Sequence, residues 1–232
     1  MINVDLKYVS APMVNQSDLP FRLLVRKYGA TSTYTQMYIP EKLLNDQDYL
    51  EYHIRDLTDG KSDDFNHPVV GQLCGNDPEL VVQAARKIQP YCDAIVLSSQ
   101  KSEHSETMIP PCSVLYFPFL VRLIVSSLSH SLAVPVSAKL RLCQPTPKTV
   151  DLSQRIEAAG ASWITLHART VSARRRRQGA ADLSEVKRLK ENIRIPVISN
   201  GNVRGFNDLK DNLDYTGADG LMVGETLLGN PW

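Results

Sequence analysis

SAPMVNQSDLPFRLLVRKYGA, residues 10–30, is the stretch that decides the fold. The apolar run Tyr8–Val14 has the composition of a strand, Asp18 stands where a helix N-cap belongs, LPFRLLVRK carries an apolar helical stripe, and Gly29 ends it. A strand that feeds straight into a helix is the first half of a βαβ unit. In a doubly wound nucleotide-binding sheet the turn between them is a glycine-rich phosphate loop. Here SAPMV fills that turn, which disfavours the doubly wound sheet and leaves a closed barrel.

Outward from this stretch the same alternation repeats. Strand-like runs fall at Ser32–Met37, Pro68–Leu73, Ala94–Leu97, Pro135–Leu142, Trp163–His167, Pro196–Ser199 and Gly220–Val223. Between them a helical pattern starts near Pro40, PELVVQAARKI follows a cap at Asn76 or Asp77, and another apolar helix covers Leu120–Ser129. Polar DGKSDDFNHP reads as a loop. The runs VVGQL, ITLH, VIS and LMV lack in/out alternation, as expected of a parallel sheet covered on both faces. Eight strands is the count of a (β/α)8, TIM-type barrel. The expected fold is therefore an α/β barrel, a single domain over residues 1–232. Pro231-Trp232 falls where an eighth outer helix would begin, so that helix and any C-terminal helical domain are expected to be missing.

Composition sets bounds on function. The chain has 232 residues, 43% hydrophobic and 22% charged, with a formal charge of +1, so no global pull toward a polyanion exists and any such contact needs a local patch. Cys74, Cys92, Cys112 and Cys143 are scattered without metal-type spacing, which points to a reducing compartment and to neither disulfide nor zinc. MINVDLKYVSAPM is no signal peptide, and the apolar window Val114–Val125 is too short for a span and contains Pro118 and Arg122. The expectation is a cytoplasmic protein, with the nucleus as second compartment, acting as a monomer with no membrane or metal partner.

Short polar tags close the apolar runs: SAPMV at 10–14, AKLRL at 138–142, LHART at 166–170, SNGN at 199–202 and MVGE at 222–225. In a barrel the C-terminal ends of all strands open onto one face, so these tags converge on one pocket. Lys139 lies mid-strand, where an interior charge is costly without an anionic partner; the bland alternative is a lysine snorkelling to solvent. His167 on an apolar strand is either a satisfied core residue or a site residue. Asn200, Gly201 and Asn202 offer a tight turn with backbone amides, and Gly224 permits close approach of a phosphate. Arg169 and the run Arg174, Arg175, Arg176, Arg177 follow the sixth strand, as a solvated loop or an RNA-phosphate contact.

Taken in order, APMV with DLPFR, VGQLCGND, KLR, HART, SNGN and GADGLMVGETLLGNPW resemble the tRNA dihydrouridine synthases over nearly the whole chain, and YCDAI is most similar to their eukaryotic branch. The resemblance implies FMN lying across the strand ends. It places Pro12, Met13 and Val14 in the flavin-contacting turn, Gln72 at the pyrimidine edge, Lys139 at N1, and His167 at the phosphate or the bound uracil. Asn200, Gly201, Asn202 and Gly224 fall at the phosphate, as does Glu225 through its backbone alone, since many family members carry Arg there. The implied reaction reduces a uridine in the D-loop of tRNA to 5,6-dihydrouridine, with NADPH or NADH as reductant through FMN, on a base flipped out of its stack.

One segment departs from that pattern. After the fourth strand the family reads close to I-D-x-N-x-G-C-P, with the cysteine as general acid, whereas this chain reads Ile95-Val96-Leu97-Ser98-Ser99-Gln100-Lys101 and has no G-C-P. No catalytic residue is assigned. Three readings stand for residues 96–118: Cys112 takes the acid's place, the chain is a natural pseudoenzyme, or the segment follows a mistaken exon boundary. Two alternatives to the synthase remain open, a noncatalytic FMN- or RNA-binding relic and another FMN barrel acting on free pyrimidines.

Overall fold

The computed structural model describes residues 4–58, 66–98, 117–170 and 179–231. Among these residues eight parallel strands close into a barrel in chain order: β1 (Tyr8–Ser10), β2 (Ser32–Tyr38), β3 (Val69–Leu73), β4 (Ala94–Ser98), β5 (Val136–Leu142), β6 (Ile164–Thr170), β7 (Val197–Asn200) and β8 (Gly220–Val223). The outer layer is α1 (Leu19–Lys27), α2 (Pro40–Asn45), α3 (Gln47–Thr58), α4 (Pro78–Ile88), α5 (Phe117–Ser131), α6 (Lys148–Ala158), α7 (Leu183–Asn192) and α8 (Asn207–Thr216). The described residues after β8 form the single turn α9 (Thr226–Gly229). None of the described helices is long and apolar enough to cross a membrane.

Local chemistry sets the boundaries. Asp18 caps α1 by accepting from Phe21 N at 3.2 Å, and Asp77, rather than Asn76, caps α4 by accepting from Glu79 N and Leu80 N. The helical pattern from Pro40 is two helices, because Asp46 is extended and accepts from Tyr49 N at 3.0 Å, ending α2 and opening α3. β1 is shorter than its apolar run: Ala11 N still bonds Val223 O at 2.7 Å, but Pro12 has no N–H and Met13 N turns to the Ser17 hydroxyl. β6 extends to Thr170, beyond the expected His167.

The missing alternation in the strands has a physical cause. Successive residues of a strand face opposite sides, and here both sides are apolar. Val9, Ala11, Tyr34, Val70, Val96, Trp163, Ile198 and Met222 fill the barrel interior. Their neighbours, among them Leu73, Ile95, Leu97, Leu140, Ile164 and Leu166, pack outward against helix residues such as Val81, Ile88, Ile124 and Leu128. Within the interior Trp163 Nε1 donates to the Tyr34 hydroxyl at 3.0 Å, with the Ser137 and Thr165 hydroxyls beside it. Burial pushes the Tyr34 phenol up to about 12.

Closure depends on Gly220. A Cβ there would lie 1.7 Å from the carbonyl oxygen of Leu6, so β8 can pass the chain entering β1 only without a side chain. Gly220→Ala is expected to destabilise the barrel by about 3 kcal/mol or more, at the upper end of overpacking costs. Gly29→Ala, at a left-handed position with open space around it, is expected to lose only about 1–2 kcal/mol. Urea unfolding of the two variants side by side checks the difference.

Candidate active site at the strand ends

The inward-facing positions continue past the apolar interior onto the C-terminal ends of the strands. Lys139 lies opposite Ser98 on one side and Thr165 on the other; His167 lies between Arg141 and Asn200, and Asn200 faces Met222. Above them opens a cavity of about 690 Å3, within the range of small-molecule sites. Its walls are the turn Ala11, Pro12 and Met13, the strand ends Lys139, Arg141, His167 and Arg169, the loop from Asn200 to Arg204, and Met222 to Thr226 with Gly229 and Asn230.

The cavity attracts anions. Among the described residues Lys139, Arg141, Arg169 and Arg204 line it against the single carboxylate of Glu225. Lys139 is 8% exposed. Burial, and then the neighbouring Arg141, pull its ammonium down to about 8. His167 is driven down to about 2, first by burial and then by Lys139, Arg141 and Arg169, so its imidazole is neutral throughout the ordinary pH range. A neutral ring donates from one nitrogen and accepts at the other.

The loops after β7 and β8 are braced from outside the cavity. The Asn202 side chain is fully engaged with Ala181, donating to its carbonyl and accepting from its N–H, both at 2.7 Å. Asn202 adopts φ 60 and Gly201 φ 137; a Cβ on Gly201 would meet Ala181 Cβ at 2.5 Å. Asn200 Nδ2 donates to Met222 O at 2.8 Å, and Thr226 Oγ1 donates to Val203 O at 2.7 Å, joining the two loops. Asp208 accepts from Arg204 N and Gly205 N, which holds its carboxyl below the usual carboxylate range and takes up those two amides. At Gly224 a Cβ would stand 3.3 Å from Ala11 Cβ and 3.8 Å from Met13 Sδ, so glycine keeps this passage open.

The structure thus brings Pro12, Met13, Lys139, His167, Arg169, Asn200, Gly201, Asn202, Gly224 and Glu225 to one cavity. Val14 does not line it: the turn closed by Gln16 N and Ser17 N on Met13 O carries Val14 away, 47% exposed. Gln72 lies in the same interior with Val96 as its register partner, but off the cavity wall. It is 5% exposed, and its Oε1 is buried with no partner among the described residues. Arg174, Arg175, Arg176, Arg177 and Cys112 lie outside the described residues, as do positions 99–116 of the aberrant segment; Val96–Ser98 complete β4 and Phe117 opens α5. Arg141 and Arg204 were not singled out from the sequence. Arg141 carries a usable signal, a spacing of two from Lys139 on one strand, and its Nη1 donates to Thr170 O at 3.1 Å. Arg204 has none, because it sits in a loop whose course the sequence does not specify. Among the described residues no three His, Cys, Asp or Glu side chains gather as a metal site.

A (β/α)8 barrel with a cationic mouth and glycines after β7 and β8 has the arrangement in which barrel enzymes frequently place a phosphate site. Comparison narrows this further, and the chain belongs to the dihydrouridine synthase family, whose model matches residues 9–232. It is 34% identical over 233 residues to a tRNA-dihydrouridine(16/17) synthase-like protein of Rattus norvegicus, covering 97% of this chain and 51% of that one. It is likewise 34% identical over 229 residues to a tRNA-dihydrouridine(20a/20b) synthase-like protein of Homo sapiens, covering 96% of this chain and 69% of that one. Histamine dehydrogenase from Rhizobium sp. 4-9 shares the fold, with a TM-score of 0.72 at 11% identity over 97% of this chain and 44% of that one. The chain spans about half the length of several curated relatives it matches.

The lowered Lys139 value has a thermodynamic consequence. Between about pH 8 and the ordinary lysine value of 10.5 the unfolded chain binds the extra proton, so this residue's contribution to stability rises with pH across that window. Lys139→Met is expected to be more stable than the ligand-free parent at pH 7 by on the order of 3 kcal/mol. That advantage should shrink toward pH 10.5, as read from urea unfolding of both proteins over the range.

Proposed function

We propose that this chain is the catalytic barrel of an FMN-dependent tRNA-dihydrouridine synthase, reducing the C5=C6 bond of a D-loop uridine with NADPH or NADH. The observation that carries the reading is the buried, like-charge-crowded Lys139 beside a neutral His167, in a chain of this family. The names of the relatives specify tRNA and NAD(P)+. That substrate puts the protein in the cytoplasm, with the nucleus as a second compartment, where it works as a monomer.

The residues present fit FMN. Among the described residues Gln72 Oε1 is a buried acceptor lacking a donor, Gly224 keeps open the passage beside Ala11 and Met13, and Lys139 is a desolvated cation lacking an anion. Pro12 and Met13 would cover one face of the ring, Lys139 its polar edge, and the Gly201–Asn202 and Gly224–Glu225 turns its phosphate. When bound, FMN supplies the two-electron relay between nicotinamide and uridine. Lys139, already short of water, would stabilise negative charge on its neighbour more strongly than a solvated amine can. His167 stays uncharged and so would orient its partner without adding repulsion to the cluster. Hydride at C6 requires a proton at C5, and no described residue is assigned as its donor.

That gap favours a second reading. The family's G-C-P is missing from the sequence, and Ser98 stands where its Asn would be, opposite Lys139. A barrel that keeps FMN and RNA without turnover is what this would leave. Reconstitution with FMN, anaerobic bleaching by NADPH and mass analysis of unmodified tRNA separate the cases. Bleaching with a gain of two hydrogens at uridine supports the synthase; flavin and tRNA binding without that gain supports the relic. Turnover of free pyrimidines alone would move the chain to another class of flavin barrel.

Two outcomes are expected of variants. Lys139→Ala should weaken flavin retention or slow flavin reduction by about 2–4 kcal/mol, the size of a lost charge-stabilising contact, as measured by flavin titration and stopped-flow bleaching. Arg169→Ala should flatten the dependence of log Kd for tRNA on log salt by about 0.7–0.9, and joint replacement of Arg174, Arg175, Arg176 and Arg177 by Ala by about 3. An unchanged slope would return these arginines to a solvated surface.

A further inference from the structure

The turn that carries Pro12 and Met13 into the cavity is held from behind by a buried charge. Arg22, on α1, is 0% exposed. Its Nη1 lies 2.8 Å from Asp56 Oδ2 and donates at 3.1 Å to Ser17 O; Nη2 donates to Asp56 O at 2.7 Å, and Nε to Asn66 Oδ1 at 3.4 Å. Asp56, with a side chain 8% exposed, accepts from Leu19 N at 2.7 Å through its other oxygen. Ser17, also buried, carries the connection forward. Its hydroxyl donates to Ala11 O at 3.1 Å and accepts from Met13 N at 2.9 Å, while Ser17 N donates to Met13 O at 3.1 Å. Ala11 and Met13 are the residues that a Cβ at Gly224 would meet, at 3.3 and 3.8 Å, on the cavity wall.

We propose that Arg22, Asp56 and Ser17 are positioning residues for the wall of the site: the ion pair fixes the Ser17 carbonyl, and Ser17 fixes Ala11 and Met13 opposite Gly224. Stability alone does not account for the arrangement. A buried ion pair is often no more stable than apolar side chains of equal volume, but an apolar pair has no N–H to hold Ser17. Two bonds lead from the ion pair to the wall, Arg22 Nη1 to Ser17 O and Ser17 Oγ to Ala11 O, and Met13 N donates back to the same hydroxyl.

The functional meaning of this wall rests on the cofactor reading, whereas its geometry can be tested without any cofactor. In the ligand-free 232-residue chain labelled with methyl-13C methionine, the Met13 resonance is assigned by its loss in Met13→Leu. Ser17→Ala and Arg22→Lys are each expected to shift that resonance while leaving Met37 in place, and to raise the Kd for FMN at least fivefold. Because both act through one relay, the double variant should bind no more weakly than the weaker single. Leu128→Ala, in the outer core on α5, controls for general destabilisation: a lower Tm with Met13 and Kd as in the parent. If Arg22→Lys does not fold, Ser17→Ala carries the same test. A lowered Tm with an unmoved Met13 resonance and an unchanged Kd would overturn the positioning role and leave the cofactor reading standing. A shifted Met13 resonance in a parent that binds no FMN would do the reverse.

Discussion

Closure of β8 onto β1 is the constraint on which everything else in this molecule depends. Leu221 N bonds Lys7 O at 2.9 Å and Ala11 N bonds Val223 O at 2.7 Å, while Gly220 slips past Leu6 without a side chain. Once the sheet is closed it has an inside, and the two-residue period of each strand sends every second side chain there. Val96, Trp163, Ile198 and Met222 then form a packed plug rather than a pore. The polar residues just beyond that plug have nowhere to point except the mouth at the C-terminal ends. An open sheet of the same strands would leave Lys139 and His167 on a solvated face, with ordinary acidity and no shared cavity.

The mouth is an unfavourable construction in the absence of an anion. Lys139 and Arg141 repel one another across a partly dry space, and burial lowers the Lys139 ammonium before any neighbour is considered. Folding tolerates this because the remainder of the structure is over-determined. Two apolar cores flank the strands, and loops are tied to each other by Asn202, Thr226 and Asp208. The turn after β1 is tied to the buried Arg22–Asp56 pair. A rigid, pre-charged cavity has little to reorganise when negative charge arrives, and this is the condition under which fixed charges act most strongly on chemistry.

What was legible in the sequence follows physical locality. The α1 cap at Asp18, its stop at Gly29, the strand sites and the barrel count all rest on near neighbours in the chain, and the structure reproduces them to within a few residues. Lys139 could be marked as costly from its own strand alone. Arg141 was within reach of the same argument, being two positions on. The break at Asp46 was missed because a single side chain accepting from Tyr49 N overrode a continuous helical pattern. The family resemblance puts Val14 in one turn with Pro12 and Met13, yet the Ser17 bonds turn the chain between them.

The amino-acid order by itself determined which segments are strands and helices, which strand ends are polar, and that the chain has the motifs of the dihydrouridine synthases. Tertiary structure alone decided that Gln72 stands off the cavity wall, that Arg204 lies on it, and that Arg22, 34 positions from Asp56, governs the turn bearing Met13. The reason is range. Caps, periodicity and turns are settled by bonds between residues a few positions apart, whereas the depth of a side chain in a barrel, its acidity and its partners depend on strand tilt, register and closure, which no local stretch contains.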